Sequence, residues 1–301
     1  MHLADDWVNV ARPTRPFARV VTNRALPPGT DTLNVPKVLT GSATSAHADL
    51  GVVQETDPTT GVTSVPVKTL AGQVDVSRQA LDRSAPGLDE IIFADLRADY
   101  DMRLDLQILT GLGSGANAKG VLSDSNRLSV TWTQASPTVQ LFGNQVADAQ
   151  QQIYAQTFRA PTHLILHPRR WSWILAAADS TGRPLISPQG AQVNSPGTAT
   201  AAIGEGAVGV FQNLSVILDA NLPTNLGAGT NQDAVIVTAA AQNYLCELPG
   251  GPVLKVDEEV LSGNLAVRLQ AYSYFAFTSE LRSKANAEII GTGLVPPAFP
   301  D

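Results

Sequence analysis

Four glycines at 111, 113, 115 and 120 stand beside Lys119 in "ILTGLGSGANAKGVLSD" (108–124), a composition that could cradle a phosphate. A cradle of that kind needs the loop to follow a strand and open a helix, so that the helix N-terminus faces the anion. Here the loop follows a segment with helical spacing, and its glycines meet the partly negative end of that helix. Lys119 is followed by Gly120 rather than Ser or Thr, and "GLGSGA" lacks the spacing of a GxSxG elbow. Gly111 and Gly113 therefore read as a structural turn with a left-handed cap. His163 and His167 stand four apart, but no third ligand and no HExxH frame accompany them, so they read as histidines at a sheet edge. Asp95, Asp99, Asp101 and Asp105 could pair as general acid and base. Arg97 and Arg103 are interleaved with them, which reads as a solvated, charge-balanced helix face. Cys246 sits in "YLCEL" with no histidine nearby in sequence, as a small buried hydrophobe. No catalytic set assembles, and neither cofactor nor metal is expected.

The elements that carry these residues follow from periodicity. Leu88, Ile91, Ile92, Leu96 and Tyr100 recur at helical spacing and predict a long helix over 88–109, preceded by a strand end and a short helical turn. Asp99 and Arg103 are four apart in the favourable acid-before-base order. A second helix is predicted over 139–155, a strand over 162–167, and a helix opened by Pro168 and stopped by Gly182 and Pro184. Residues 185–209, rich in Gly, Ala, Ser and Pro, read as loop. "FQNLSVILDANLP", "DAVIVTAA" and "NYLCELPG" read as short strands. In "NLAVRLQAYSYFAFTSEL", Leu265, Val267, Leu269, Ala271, Phe275 and Phe277 alternate with polar residues and predict a long half-buried strand. "AEIIGTGL" is a last strand.

One region lacks a core of its own. Residues 26–70 have strand-like ends at 33–39 and 62–68 around a polar middle rich in Gly, Thr and Ser. Read as a hairpin, each arm of about 20 residues would reach ~65 Å at ~3.3 Å per residue, and such a hairpin needs something to lie on. The fold class is α+β, a long helix beside a long-stranded sheet.

The bulk numbers agree with a folded chain that meets other protein. Of 301 residues, 44% are hydrophobic and 16% charged, too apolar and too weakly charged for disorder. The net charge of −7 gives no basic excess for nucleic-acid recognition. The single cysteine excludes an intrachain disulfide and fits a reducing cytoplasm. No apolar run approaches the roughly 20 residues of a membrane span. "MHLADDWVNV" does not read as a signal peptide, and the expectation is a cytosolic product without a membrane partner.

In this order the elements resemble the major capsid proteins of tailed bacteriophages, the Hong Kong 97-type fold. The resemblance is carried by "VSRQALDRSAPGLDEIIFADLRADYDMRLDLQILTGLGSGANAKGVLSD" (76–124), by "LILHPRRWSWILAAADSTGRPLI" and by the tail from 252 to 294. It implies an N-terminal arm (1–26), an extended loop across a neighbouring subunit (27–68) and a peripheral domain (69–137) whose spine is helix 88–109. An axial domain (138–251), a return to the peripheral domain (252–285) and an axial strand with a C-terminal tail (286–301) complete it.

The implied function is a structural protein that self-assembles into the icosahedral shell around a double-stranded DNA genome. Pentamers and hexamers would form in the host cytoplasm, with a separate scaffolding protein or prior processing, a portal and a cementing protein. The DNA would be contacted without sequence preference, because a negative lining neutralises few phosphates. Lys37, Glu55, Asp57, Arg78, Asp257, Glu258 and Glu259 are the candidate contacts between subunits. Asp257, Glu258 and Glu259 would pair with basic neighbours from the turn "VDEEVLSGN" (256–264), or else simply face water. Some relatives join an extended-loop lysine to an asparagine by an isopeptide bond. Here the loop carries only Lys37 near its base and Lys68 at its end, with none near 54–61, so no covalent cross-link is expected. The alternatives are an encapsulin-type compartment holding a cargo enzyme and a nucleotide-binding enzyme built on the 111–120 glycine loop.

Overall fold

The computed structural model describes residues 10–83, 87–178, 184–188, 197–203, 207–297 and 299. The chain begins with α1 (Pro16–Val20), β1 (Thr22–Ala25), a hairpin of β2 (Thr32–Thr40) and β3 (Thr59–Pro66), then β4 (Lys68–Ser77), α2 (Arg78–Arg83) and α3 (Leu88–Thr110). β5 (Leu128–Thr131), α4 (Val139–Thr157), β6 (His163–Leu166), α5 (Pro168–Ala176), β7 (Ile186–Pro188), β8 (Gly197–Ile203), β9 (Ala207–Phe211), β10 (Leu214–Leu218) and β11 (Val235–Thr238) follow. β12 (Tyr244–Glu247), β13 (Val253–Asp257), β14 (Ala266–Thr278) and β15 (Asn286–Ile290) complete the order. Short 3₁₀ turns link several of them.

Three sheets result. The largest runs β5-β15-β11-β6-β10-β9-β8-β7. Its central strands are buried on both faces, which is why they read as unbroken apolar runs rather than alternations. Leu164, Leu166, Val216, Val235 and Val237 face one core with Phe142, Val146 and Ile153 of α4 and Trp171, Trp173 and Ile174 of α5. Ile165, Ile217 and Ile236 point the other way, onto Leu104, Ile108 and Leu109 of α3 and Phe17 of α1. That second core also takes Leu245, Phe275 and Phe277, so the C-terminal half of α3 packs on both large sheets.

The second sheet centres on β14, with β4 along one edge and β12 and β13 along the other; β1 adds a parallel strand outside β12. The expected alternation holds from Ala266 to Ser273. Leu265 departs from it: it stands exposed at φ +49°, in the turn before the strand, because the ladder starts one residue later. The third sheet is the β2–β3 hairpin alone.

Three expectations need correction on elements. The stretch 185–209 is not simply loop, since β7, β8 and the start of β9 fall in it and pair with one another. Residues 128–131 form β5, and 253–257 form a strand that leads into the expected turn. Helix α5 ends at Ala176; Gly182, its expected stop, lies outside the described residues.

Candidate inter-subunit surfaces

The hairpin runs in one register from Thr32 opposite Pro66 to Val38 opposite Thr60, then shifts by one residue to place Thr40 opposite Thr59. Its base is anchored where Val65, buried, joins Leu26, Cys246 and Ala276, with Leu33 and Val67 against them. Val67 N–H donates to Asp31 O at 2.9 Å and closes the base. Beyond it the core ends. Val38, Leu39, Leu50, Val52, Val53 and Val62 are exposed, and so is every residue from 38 to 60. Glu55 and Asp57 lie exposed in the span between the strands, and Lys37 is half-buried in β2 opposite Gly61. Cys246 is a buried free thiol, as its apolar setting implies, and burial raises its pKa.

The glycine loop sits beside this base and serves the chain. Gly113 N–H donates to Ala118 O at 2.9 Å and Gly120 N–H to Gly111 O at 2.8 Å, so the loop closes as a miniature hairpin on the end of α3. Gly113 has φ +73°, as a left-handed turn requires. Gly111 does not: it is extended at φ −54°, ψ 135°. Its glycine is needed for close approach, since a Cβ would lie 2.3 Å from Ala118 O. Lys119, read as a possible phosphate ligand, forms an ion pair with Glu280 instead. Lys68 Nζ donates to Gly115 O at 2.6 Å, tying the end of the hairpin to the loop.

At the far end of the β14 sheet the acidic turn finds partners within its own chain. Arg78 Nη1 donates to Glu258 Oε2 at 3.3 Å, and Lys255 Nζ lies 2.8 Å from Asp257 Oδ1. Arg268 clamps Asp75 across the β4–β14 ladder at 2.7 and 3.0 Å and holds its carboxyl below the usual range. Glu259 is exposed. Arg78, Glu258, Lys255 and Glu259 are largely in water, where such pairs stabilise little and exchange partners readily.

The α3 carboxylates depart from the solvated face the sequence suggested. Asp95 and Asp99 are bound by Arg12 at 2.6–2.9 Å, and Asp101 by Arg15 at 3.2 Å, so the N-terminal segment straps the helix. The predicted Asp99–Arg103 pair is present but looser, at 3.8 Å. Arg15 also donates to Glu247 of β12 at 2.7 Å. Asp105 is not solvated at all; it is fully buried.

The histidines are not edge residues either, because β6 lies between β10 and β11. His167 caps α5, its Nδ1 accepting from Arg169 N–H at 3.3 Å, and burial lowers its pKa. Sequence reasoning did not single out the buried ion pair below it. Arg170, with no exposure, donates to Asp233 Oδ2 at 2.7 and 3.0 Å and to the carbonyls of Leu294 and Val295 at 2.8 and 2.7 Å. Two adjacent arginines opening a helix were the available signal, but their acceptor is 63 residues away. Among the described residues no group of three or more His, Cys, Asp or Glu could hold a metal ion. No helix among them is long and apolar enough to cross a membrane.

Comparison with known proteins gives one consistent answer. Residues 2–277 match the model of the phage capsid family. The major capsid protein of Enterobacteria phage HK97 is 30% identical over 137 residues, 45% of this chain and 34% of that protein's length. Among solved structures, a chain of Gordonia phage Cozz superposes with a TM-score of 0.71 at 14% identity, covering 97% of this chain and 91% of its own. One described as the capsid of a native GTA particle gives 0.73 at 15% identity, covering 96% and 94%. At those identities the superpositions establish the Hong Kong 97-like fold alone.

Proposed function

This chain belongs to the phage capsid family, and we propose that it is the major capsid protein of a tailed bacteriophage, the repeated subunit of an icosahedral shell around double-stranded DNA. The observation that carries the reading is the hairpin. Its strands and the span between them present valines and leucines to water over a length that no other described residue covers. An isolated two-stranded ribbon is marginal in water, and exposed apolar surface of this extent marks a contact with another protein.

In this reading 27–68 is the extended loop resting on a neighbouring copy. The β14 sheet with α3 is the peripheral domain, contributed by 69–137 and 252–285 and completed by β1 and β12 from outside those ranges. The eight-stranded sheet with α4 and α5 is the axial domain of pentamers and hexamers, contributed by 138–251 and 286–301 with β5 joining it from 69–137. Lys37, Glu55 and Asp57 then meet the adjoining subunit. Arg78, Asp257 and Glu258 exchange their weak in-chain pairs for partners across the boundary, joined by Glu259. Many such contacts, each weak, let misplaced copies leave during assembly yet hold a closed shell. A scaffolding protein, a portal and a cementing protein complete the assembly in the bacterial cytoplasm. A net charge of −7 lets the lining touch packed DNA without trapping it.

Sedimentation of the purified chain tests this. Megadalton particles are expected, and a stable monomer under all assembly conditions contradicts it. After boiling in denaturant the particles should give one band near 31.7 kDa. A ladder of larger species would show covalent linkage and overturn the non-covalent reading.

A further inference from the structure

A pair of buried carboxyls joins three parts of the subunit. Asp105 comes from α3, Asp219 follows β10, and neither side chain is exposed. Asp105 Oδ1 accepts Ala18 N–H of α1 at 2.9 Å, and its Oδ2 accepts Asn221 Nδ2 at 3.1 Å. Asn221 Nδ2 also donates to Thr14 O at 2.9 Å, and Asn221 N–H donates to Asp219 Oδ1 at 2.8 Å. The remaining oxygen, Asp219 Oδ2, has no hydrogen-bond partner, although the Phe17 N–H of α1 also favours the charged Asp219 carboxyl. Asn221 thus bridges the two carboxyls, its side chain on Asp105 and its backbone N–H on Asp219, and two carboxylates held so close in a dry site cannot both stay charged. One proton held between them supplies the missing donor.

The charged groups on surrounding elements do not replace that proton. Arg15 of the N-terminal segment is engaged by Asp101 and Glu247. Arg169 is engaged by Asp233. His167, on the Asp219 side near Asp233 and Arg169, is held below its usual pKa by burial and stays neutral near pH 7. Tyr100 is pushed up to about 12 by burial and keeps its own proton. Asp105 and Asp219 are thus a site for one proton with no competing cation.

We propose that Asp105 and Asp219 form a one-proton latch that fastens the N-terminal segment 14–20 across the two large sheets, and that losing the proton releases the segment. The other polar ties of the segment are more exposed: Arg15 pairs with Asp101 and Glu247 and makes no side-chain cap for α1. The sign follows from the protonation states. Burial first, and then the neighbouring carboxylate, raise Asp105 to about 9, and burial raises Asp219. A solvated aspartate loses its proton above about 3.9. The docked state therefore holds a proton that the released state gives up. Docking is unaffected by this difference below about pH 4, weakens by up to about tenfold per pH unit from there to about 9, and then levels off.

Hydrogen exchange of the full chain tests the latch, read as protection factors for 17–21 with the intrinsic pH dependence removed and α4 as internal reference. Protection of 17–21 should fall between pH 7 and pH 10 while that of α4 stays constant. Asp219→Asn keeps the Asn221 N–H acceptor and puts an amide donor where Asp219 Oδ2 lacks one. It should hold the segment docked up to pH 10, whereas Asp105→Ala should lower the protection of 17–21 at every pH and remove its pH response. Flat protection of 17–21 in the unmodified chain, or an unchanged pH response in Asp219→Asn, overturns the proposal. The unmodified chain alone decides the matter if a variant fails to fold. The latch is independent of shell formation, so its failure leaves the capsid reading standing.

Discussion

The β2–β3 hairpin and the centre of the eight-stranded sheet use the same residues in opposite ways. Val216, Val235 and Val237 have no exposure, while Val38 and Val62 are 65% and 62% exposed and Val52 is 98% exposed. Strand propensity is satisfied in both places, but only one has a surface to pack on. Burying a valine contributes about 1.5 kcal/mol or more relative to leaving it in water. The central sheet therefore carries the stability of the subunit, and the hairpin carries apolar surface that the described residues of the same chain leave in water. One chain separates folding from assembly by placing them on different strands.

That contrast can be broken from either side. Phe142 is fully buried and touches the rings of Trp132, Trp173 and Phe211. Phe142→Ala should destabilise the subunit by about 3–5 kcal/mol in denaturant unfolding and lower the yield of folded protein. Gly111→Ala should come next, at about 2 kcal/mol, because the added methyl meets carbonyl oxygens that cannot retreat. Gly115, at φ +59° with open space around it, should lose only about 1 kcal/mol on the same change. Arg12→Ala should cost about 0.5–1 kcal/mol, more at low salt than at high, since the pairs it breaks are partly exposed. Paired Leu50→Ser and Val52→Ser changes should alter subunit stability by less than about 0.5 kcal/mol, yet abolish particles in sedimentation. If they unfold the subunit instead, the division between the two regions is wrong.

Much of this architecture could be read from residue spacing, and the misses share a cause. Helix α3, the hairpin arms and β14 were legible because their periods are long and unambiguous. β7 and β8 were not, because β7 is three residues ending in proline and β8 is mostly Gly, Ala and Thr without alternation, so only pairing with neighbours makes them strands. Helix polarity pointed to a turn at 111–120, and Gly113 makes one at positive φ. The reason for Gly111 was not legible, since it depends on where Ala118 O returns. Asp105 looked like the other aspartates on the same helix, because Asn221, which hydrogen-bonds it, is 116 residues distant. The in-chain pairing of Arg78 with Glu258 spans 180 residues and was equally invisible.

The most direct test of the account is an electron cryomicroscopy map of particles assembled from the unmodified chain. The account predicts a closed icosahedral shell in which the hairpin of 32–66 lies on an adjacent copy, with Leu50, Val52 and Val53 covered at the boundary. A closed shell whose hairpins stand free in solvent, or a protein that yields no shell at all, would contradict it.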